Sequence, residues 1–198
     1  MLRPARDSDR DPVLVWRNHP DVRAASLTQH EISPEEHEAW WARTLADPTS
    51  RVLIYERLDV PFGVVTFFDL DETTGSGWWG YYLDTVGLEA TGQLLMAWIQ
   101  IQREAIRYAF DELGLATLLG EVLASNEAVR QFNRRHRFTE LETYQRDVDG
   151  IPTDVIRVQA QGRGQGIKRQ YRKGRHTLTQ ADPRQLTQYH HRRSRGRS

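Results

Sequence analysis

The apolar and polar positions fall into short periodic runs separated by strong punctuation. Leu2-Arg3-Pro4-Ala5 suits a short first strand. Residues 8–18, SDRDPVLVWRN, place Val13, Val15 and Trp16 inward on a helix, with Pro12 in its first turn. His19-Pro20 ends that helix. Ser33-Pro34-Glu35-Glu36 joins an N-cap, a proline at the first helical position and a glutamate three after the cap. That combination predicts a helix running to about Leu45. RVLIYER (51–57) alternates and is β-branched, Asp59-Val60-Pro61 turns the chain, and FGVVTFFDL (62–70) is apolar enough for a central strand. A polar turn from Asp71 to Gly77 leads into Trp78-Trp79-Gly80-Tyr81-Tyr82-Leu83. The aromatic residues of this strand alternate, one face toward core and the other toward a cleft, and Gly80 predicts a bulge or a close backbone approach.

The longest helix is expected over 92–113, with Leu95, Trp98, Ile99, Ile106, Ala109, Phe110 and Leu113 at three- and four-residue steps and Gly114 as C-cap. Trp98, Ile99 and Phe110 are expected in the core. A strand at 116–123, a short basic helix from Ser125-Asn126 to His136, and strands at 138–147 and 152–159 follow. The last two meet at Asp149-Gly150, a hairpin signal. The order β-α-α-β-β-β-α-β-α-β-β sets a parallel crossover inside an otherwise antiparallel sheet, an α+β (mixed α/β) class.

Composition narrows the chemistry. The 198 residues include no cysteine, which excludes disulfides, a thiolate nucleophile and Cys-ligated zinc. No apolar run approaches the roughly 18 residues of a membrane span. The polar start MLRPARDSDRD does not resemble a secretory signal, so a cytoplasmic protein is expected. The 27 Lys+Arg and 27 Asp+Glu balance only overall. Residues 161–198 hold 11 of the basic residues and one acid, Asp182, so the tail carries +10 and the body −10. The chain therefore divides into a folded domain, 1–160, and a basic tail, 161–198, expected to be disordered. Nucleic acid is not expected as a partner except through this tail. His190-His191 lack a third ligand, and no metal site is predicted.

Between Leu83 and the long helix lies DTVGLEATGQLL, in which Gly87 and Gly92 flank a loop opening onto a helix. Unpaired N–H groups and the helix dipole make such a start a seat for phosphate or pyrophosphate. The segment resembles the cofactor motif of the GNAT-type N-acetyltransferases through Gly87, Ala90 and Gly92. Phe110-Asp111-Glu112-Leu113-Gly114, then Glu121 to Asn126, then Phe138 extend the resemblance over about residues 2–159. It implies a twisted, mostly antiparallel sheet with a central parallel β-α-β crossover and helices on both faces. It also implies acetyl-CoA as cofactor and a small-molecule amine as acceptor, in a monomer or homodimer. By the same resemblance the strand at Tyr82 and Leu83 holds the pantetheine arm, and Gly87, Ala90, Thr91, Gly92 and Gln93 hold the pyrophosphate. Asn126 and Asn133 complete the cofactor side.

The resemblance breaks at the general acid. Many family members carry a tyrosine seven after the Asn126 position, where this chain has Asn133; a serine three after it in another branch is Val129 here, and the glycine before Phe138 is Arg137. Tyr81, with Tyr82, becomes the replacement candidate. Glu121 is read either as a base or as the partner of a nearby arginine, and His37 either as a base or as a structural hydrogen-bonder.

Trp16-Arg17-Asn18 through Val22-Arg23, followed by Glu31-Ile32-Ser33-Pro34-Glu35-Glu36-His37 and Trp40, resembles the branch that N-acetylates nucleotide-linked amino sugars, as in the pseudaminic acid pathway. That branch implies Arg17 and Arg23 on the phosphates, and Trp40, Trp41 and Phe68 stacked on base and sugar. The alternatives are acetylation of protein N-terminal amines and a catalytically silent binding module of the same shape.

Overall fold

The computed structural model describes residues 1–162. The disorder expected for the tail, and His190-His191, lie outside the described residues from position 163 on. The elements run β1 (Leu2–Pro4), a 3₁₀ turn (Asp7–Asp9), α1 (Arg10–Arg17), α2 (Pro20–Ala24), α3 (Pro34–Ala46), β2 (Arg51–Arg57), β3 (Val60–Asp71) and β4 (Ser76–Leu83). They continue with α4 (Thr85–Ala90), α5 (Leu94–Arg107) with one π turn (Tyr108–Glu112), β5 (Thr117–Leu123), α6 (Glu127–Arg135), β6 (Thr139–Val148) and β7 (Ile151–Gln161). The seven strands form one sheet in the order β1-β2-β3-β4-β5-β7-β6. The β4–β5 pair is parallel and the other neighbours are antiparallel, as the sequence implies.

Helices cover both faces. Leu53, Tyr55, Val65, Phe67, Trp79 and Leu83 pack with Ala97, Ile101, Ala105 and Ala109 of α5. Val52, Ile54 and Val64 point the other way, onto Val13 and Trp16 of α1 and Trp41 of α3. This explains why Val52 to Tyr55 are buried without a break: a strand covered on two sides has no polar face.

Several expectations need correction. Val15 is 70% exposed, because Pro12 sits in the first turn of α1 and the inward stripe is Val13 with Trp16, one turn apart. α1 ends at Arg17, before His19-Pro20 as expected, but Pro20 then opens a second short helix, α2, with the His19 ring facing the Asp21 N–H. The β2–β3 turn is Leu58-Asp59, both at positive φ, so β3 already begins at Val60. Gly80 makes no bulge; it pairs in register with Thr66. The long helix starts at Leu94, and its buried stripe is Ala97, Ile101, Ala105 and Ala109. Leu95 is exposed and Ile99 only half-buried on its flank, not in the core. Gly114 does close the segment at φ +66, and Asp149 and Gly150 both take positive φ, as a two-residue hairpin turn requires.

Candidate active site

The parallel pair at the sheet's centre is short. β4 and β5 are matched only through Ser76 with Thr117, Gly77 with Leu118 and Trp78 with Leu119. Beyond that point β4 continues to Leu83 on β3, and β5 continues to Leu123 on β7. The two strands diverge and leave facing edges without ladder partners. The Asp84 N–H donates to Phe62 O at 2.8 Å, which fixes the alternation: Tyr82 and Gly80 bond to β3, and the N–H and C=O groups of Tyr81 and Leu83 face the gap. Backbone groups inside a sheet require a partner, and an extended, amide-bearing ligand supplies one.

A helix start stands at the end of this gap, but not where Gly87 places it. Residues 85–90 form α4, and Asp84 Oδ1 caps it by accepting the Gly87 N–H at 3.0 Å. The Gly87 donor is thus consumed, and its missing side chain matters for the cap: a Cβ there would lie 2.2 Å from Asp84 Oδ2. Gly92, at φ +64, reverses the chain between α4 and α5. The Gly92 N–H donates to Glu89 O and the Gln93 N–H to Leu88 O, while Thr91 Oγ1 donates to Leu88 O. Ala90 closes α4. The first helical bond of α5 comes from Ala97 to Gln93, so the open donors are the N–H groups of Leu94, Leu95 and Met96. The unbonded donors of this helix start therefore lie in the first turn of α5, where Leu95 and Met96 are exposed, as is Val86 on α4.

On the α5 side of β4 the site is dry. Tyr81 lies edge-on against Trp98, its hydroxyl donates to Gln102 Oε1 at 2.5 Å, and Gln102 Nε2 donates to Asn133 Oδ1 at 3.1 Å. Burial pushes the Tyr81 phenol far above its usual range. Tyr81 as a general acid facing the thioester is corrected on this ground: its proton is committed inside the core. Asn126 Oδ1 accepts the Val129 N–H and caps α6.

On the opposite side of β4 Phe68, Trp78, Gly80 and Tyr82 share a face; Phe68 and Gly80 are exposed, with nothing within 4 Å of where a Gly80 Cβ would stand, while Tyr82 packs against the α1–α3 cluster and burial pushes its phenol well above its usual range. Beside this floor Glu121 is gripped by the Tyr144 hydroxyl and the Arg146 guanidinium, both at very short range. Burial and then Glu121 push the Tyr144 phenol up to about 12. Arg157 lies over the Trp78 and Tyr144 rings and pairs with Glu142 at 2.6 Å. Of the two readings of Glu121, the ion pair is the one observed. At the other end, Arg17 Nη2 donates to Thr28 O at 2.7 Å, while Nη1 is buried with no hydrogen-bond partner. Burial lowers the Arg17 pKa. Arg23 Nε donates to Gln29 O at 2.8 Å. The tip of the β6–β7 hairpin holds this corner: Asp149 accepts the N–H groups of Gln29 and His30, and the His30 ring bridges Asp149 and Glu36.

His37 is corrected from base to packing residue. It is buried on α3, its Nε2 lies 2.8 Å from Arg10 O, and its ring stacks on Trp40. Burial lowers its pKa. Trp40 packs against the α1–α3 cluster, and Trp41 is fully inside it. Sequence reasoning missed Gln102, Tyr144 and Arg146, and read Asp149 only as a hairpin turn; Gln102 is one of two amides, with Gln100, between Ala97 and Ala109, so its burial was not marked by the pattern.

An unzipped strand pair ending at a helix start, backed by an open aromatic and arginine-lined floor, defines a transferase that draws its group from an acyl-CoA. The chain belongs to the acetyltransferase (GNAT) domain family, whose model matches residues 1–139. Over 127 residues it is 29% identical to acetyltransferase PseH of Campylobacter jejuni, spanning 64% of this chain and 74% of that protein. Spermidine N-acetyltransferase from Vibrio cholerae, solved in complex with CoA and spermine, superposes with a TM-score of 0.66 at 16% identity, over 81% of this chain and 94% of its own. The protein is an N-acetyltransferase that uses acetyl-CoA. No helix of the described residues is long and apolar enough to cross a membrane.

Proposed function

We propose that the acceptor is the free amine of a sugar carried on a nucleotide diphosphate. The observation behind this reading is the half-bonded guanidinium of Arg17, whose Nη1 is buried without a partner. A buried, unpaired donor costs about 1–3 kcal/mol, and a bound anion removes that cost. Arg23 stands close enough to add to the positive potential at Arg17. Phe68, exposed on the sheet face opposite α5, offers a ring for a base or a pyranose. The likeness to acetyltransferase PseH and the Trp16–Trp40 run both support the same branch. A polyamine would bring cations against Arg17 and Arg23, so the spermidine enzyme's similarity carries the fold and not the acceptor.

In this reading the N–H groups of Tyr81 and Leu83 hold the acyl arm, and those of Leu94, Leu95 and Met96 hold the pyrophosphate. When bound, acetyl-CoA supplies an activated acetyl group for attack by the amine. Glu121, fixed between Tyr144 and Arg146, orients the incoming ammonium as a charge, and the proton is released to water. Position does most of the remaining work, because amine and carbonyl are held in line. The test compares turnover on nucleotide-linked amino sugar, free amino sugar, spermidine and a peptide amine. Preference for the nucleotide-linked sugar is expected; equal rates on free and linked sugar, or a preference for spermidine or peptide, overturn the reading.

A further inference from the structure

Gly80 is the one described glycine that the fold itself does not require. It sits inside β4 in register with Thr66 of β3, and its φ is not positive, so the backbone there accepts any residue. Packing does not demand it either, since nothing lies within 4 Å of where a Cβ would stand. Among the described residues every other glycine either takes positive φ or would bring a Cβ within 3.3 Å of a neighbour. Gly63 on the adjoining strand shows the contrast: a Cβ there would stand 2.7 Å from the Leu83 side chain. A glycine inside a strand weakens it, because the chain loses more freedom on folding and no side chain packs. Neither conformation nor packing offsets that cost at Gly80. What remains is the close approach of a ligand to the bare backbone.

The surroundings say which ligand. The chain neighbours of Gly80, Trp79 and Tyr81, pack on the α5 side, so its absent side chain belongs to the other face. Gly80 is exposed there although β4 is a central strand, and exposed Phe68 and half-buried Trp78 share the face. Glu121, two residues past the Trp78 partner Leu119, lies on the same face of β5. The next residue, Tyr81, begins the backbone edge that β5 leaves without a partner. A group resting on Gly80 is therefore one residue from the edge proposed to hold the acyl arm, on the side of the sheet away from the first turn of α5.

We propose that Gly80 is a specificity-determining residue of the acceptor site, whose bare backbone lets the acceptor's sugar ring lie flat against β4. The inference rests on the acceptor reading given above and adds what sets the depth of the site. A Cβ stands about 1.5 Å from its Cα, and a rigid pyranose is lifted by a comparable distance, with its amine. A displacement of about 1 Å can lower a rate about a hundredfold. A linear amine bends past a methyl group and loses less.

The experiment compares Gly80→Ala and Gly80→Val with the parent in the full-length protein, using nucleotide-linked amino sugar, free amino sugar and spermidine as acceptors. Melting temperature and CoA affinity by calorimetry are read without any acceptor. Both variants should melt at or above the parent, because the new side chain meets nothing and valine suits a strand. CoA affinity should not change. The kcat/KM for both sugars should fall about tenfold in Gly80→Ala and about a hundredfold in Gly80→Val, and that for spermidine by less, so the ratio of sugar to spermidine turnover falls. A variant that melts several degrees lower shows that packing needs the glycine, and lost CoA affinity shows that the cofactor lies there. Unchanged kcat/KM on the sugars, or equal loss on sugars and spermidine, shows that no ring rests on Gly80. Each of these results overturns the proposal. The parent's own preference judges the acceptor reading separately: a parent that favours spermidine refutes that reading, while a sugar-to-spermidine ratio that still falls in the variants upholds Gly80.

Discussion

Replacing Arg17 by methionine should separate binding from stability. Methionine keeps an unbranched apolar stem in place of the arginine's and removes the guanidinium. Folding loses the charge-assisted bond from Nη2 to Thr28 O, worth about 1.5–3 kcal/mol. It gains the relief of a buried donor, Nη1, that has no partner, worth about 1–3 kcal/mol. The two nearly cancel, and a domain of this size shifts roughly 2–4 °C per kcal/mol, so the melting temperature should stay within a few degrees of the parent's. The acceptor loses a charge-assisted bond of about 1.5–3 kcal/mol, which raises its KM about ten- to a hundredfold. The KM for acetyl-CoA should stay put, because the first turn of α5, proposed to hold its pyrophosphate, covers the opposite face of the sheet from α1, which carries Arg17. Arg17→Lys keeps the charge but loses the planar fork, and should fall between the two. Melting curves with and without nucleotide-linked sugar, and KM values for both substrates, decide the matter. A methionine variant that melts several degrees lower and binds the acceptor normally would show that Arg17 holds the fold and not the substrate.

Three other perturbations follow from the same geometry. Asp9 is buried against Arg3 in a two-pronged contact at 2.6 and 2.8 Å and also accepts the Arg6 N–H; burial alone would raise its pKa, but the Arg3 and Arg6 bonds prevail and lower it. Its contribution is therefore present above the unfolded value near 3.9 and lost as pH falls through the lower folded value; Asp9→Asn should cost about 3 kcal/mol at neutral pH and flatten the acid limb of a urea-midpoint profile. Arg137 takes φ +67 just before Phe138, so Arg137→Gly should stabilise the fold by up to about 1 kcal/mol, the relieved strain less the entropy cost of glycine, and raise the urea midpoint without changing the m-value; a lower midpoint would mean that its side chain contributes more than the strain costs. His30 has its pKa raised, first by Asp149 and then by Glu36, so its hold on the β6–β7 hairpin is complete below about pH 6.5 and is lost as pH rises through the raised folded value; amide exchange at Gln29 and His30 should accelerate on that rise and in Asp149→Ala at any pH.

The features legible in the sequence were those set by near neighbours. Ser33 with Glu36 marked the start of α3, the alternation of RVLIYER marked β2 to the residue, and Asp149-Gly150 marked its hairpin, because each is decided within a few positions. What stayed hidden depends on partners distant in the chain. α4 has no periodic stripe of its own and exists because Asp84 caps it and Leu88 is buried, which is why Gly87 read as part of an open loop. Glu121 meets Tyr144 and Arg146 only through the register of β5, β7 and β6. The burial of Arg17 depends on a loop eleven residues away closing over it. The alternation in Trp78–Leu83 told that the strand has two kinds of face; it did not tell which face carries α5.

That last point bears on how the reaction is divided. One strand serves two environments because its side chains alternate. Trp79 and Tyr81 lie under α5, and the Tyr81 hydroxyl is tied to Gln102 in the core. Phe68 and Gly80 are exposed on the other face, beside Trp78 with Arg157 over its ring, while Tyr82 on that face packs against the α1–α3 cluster. Between the two faces runs the strand's own backbone, with the Tyr81 and Leu83 edge left without a ladder partner by the divergence of β5. Tyr81→Phe should therefore lower stability and leave the acceptor's KM alone, while Arg17→Met should raise that KM with little change in stability. A variant on one face that moved both quantities together would show that β4 does not separate them.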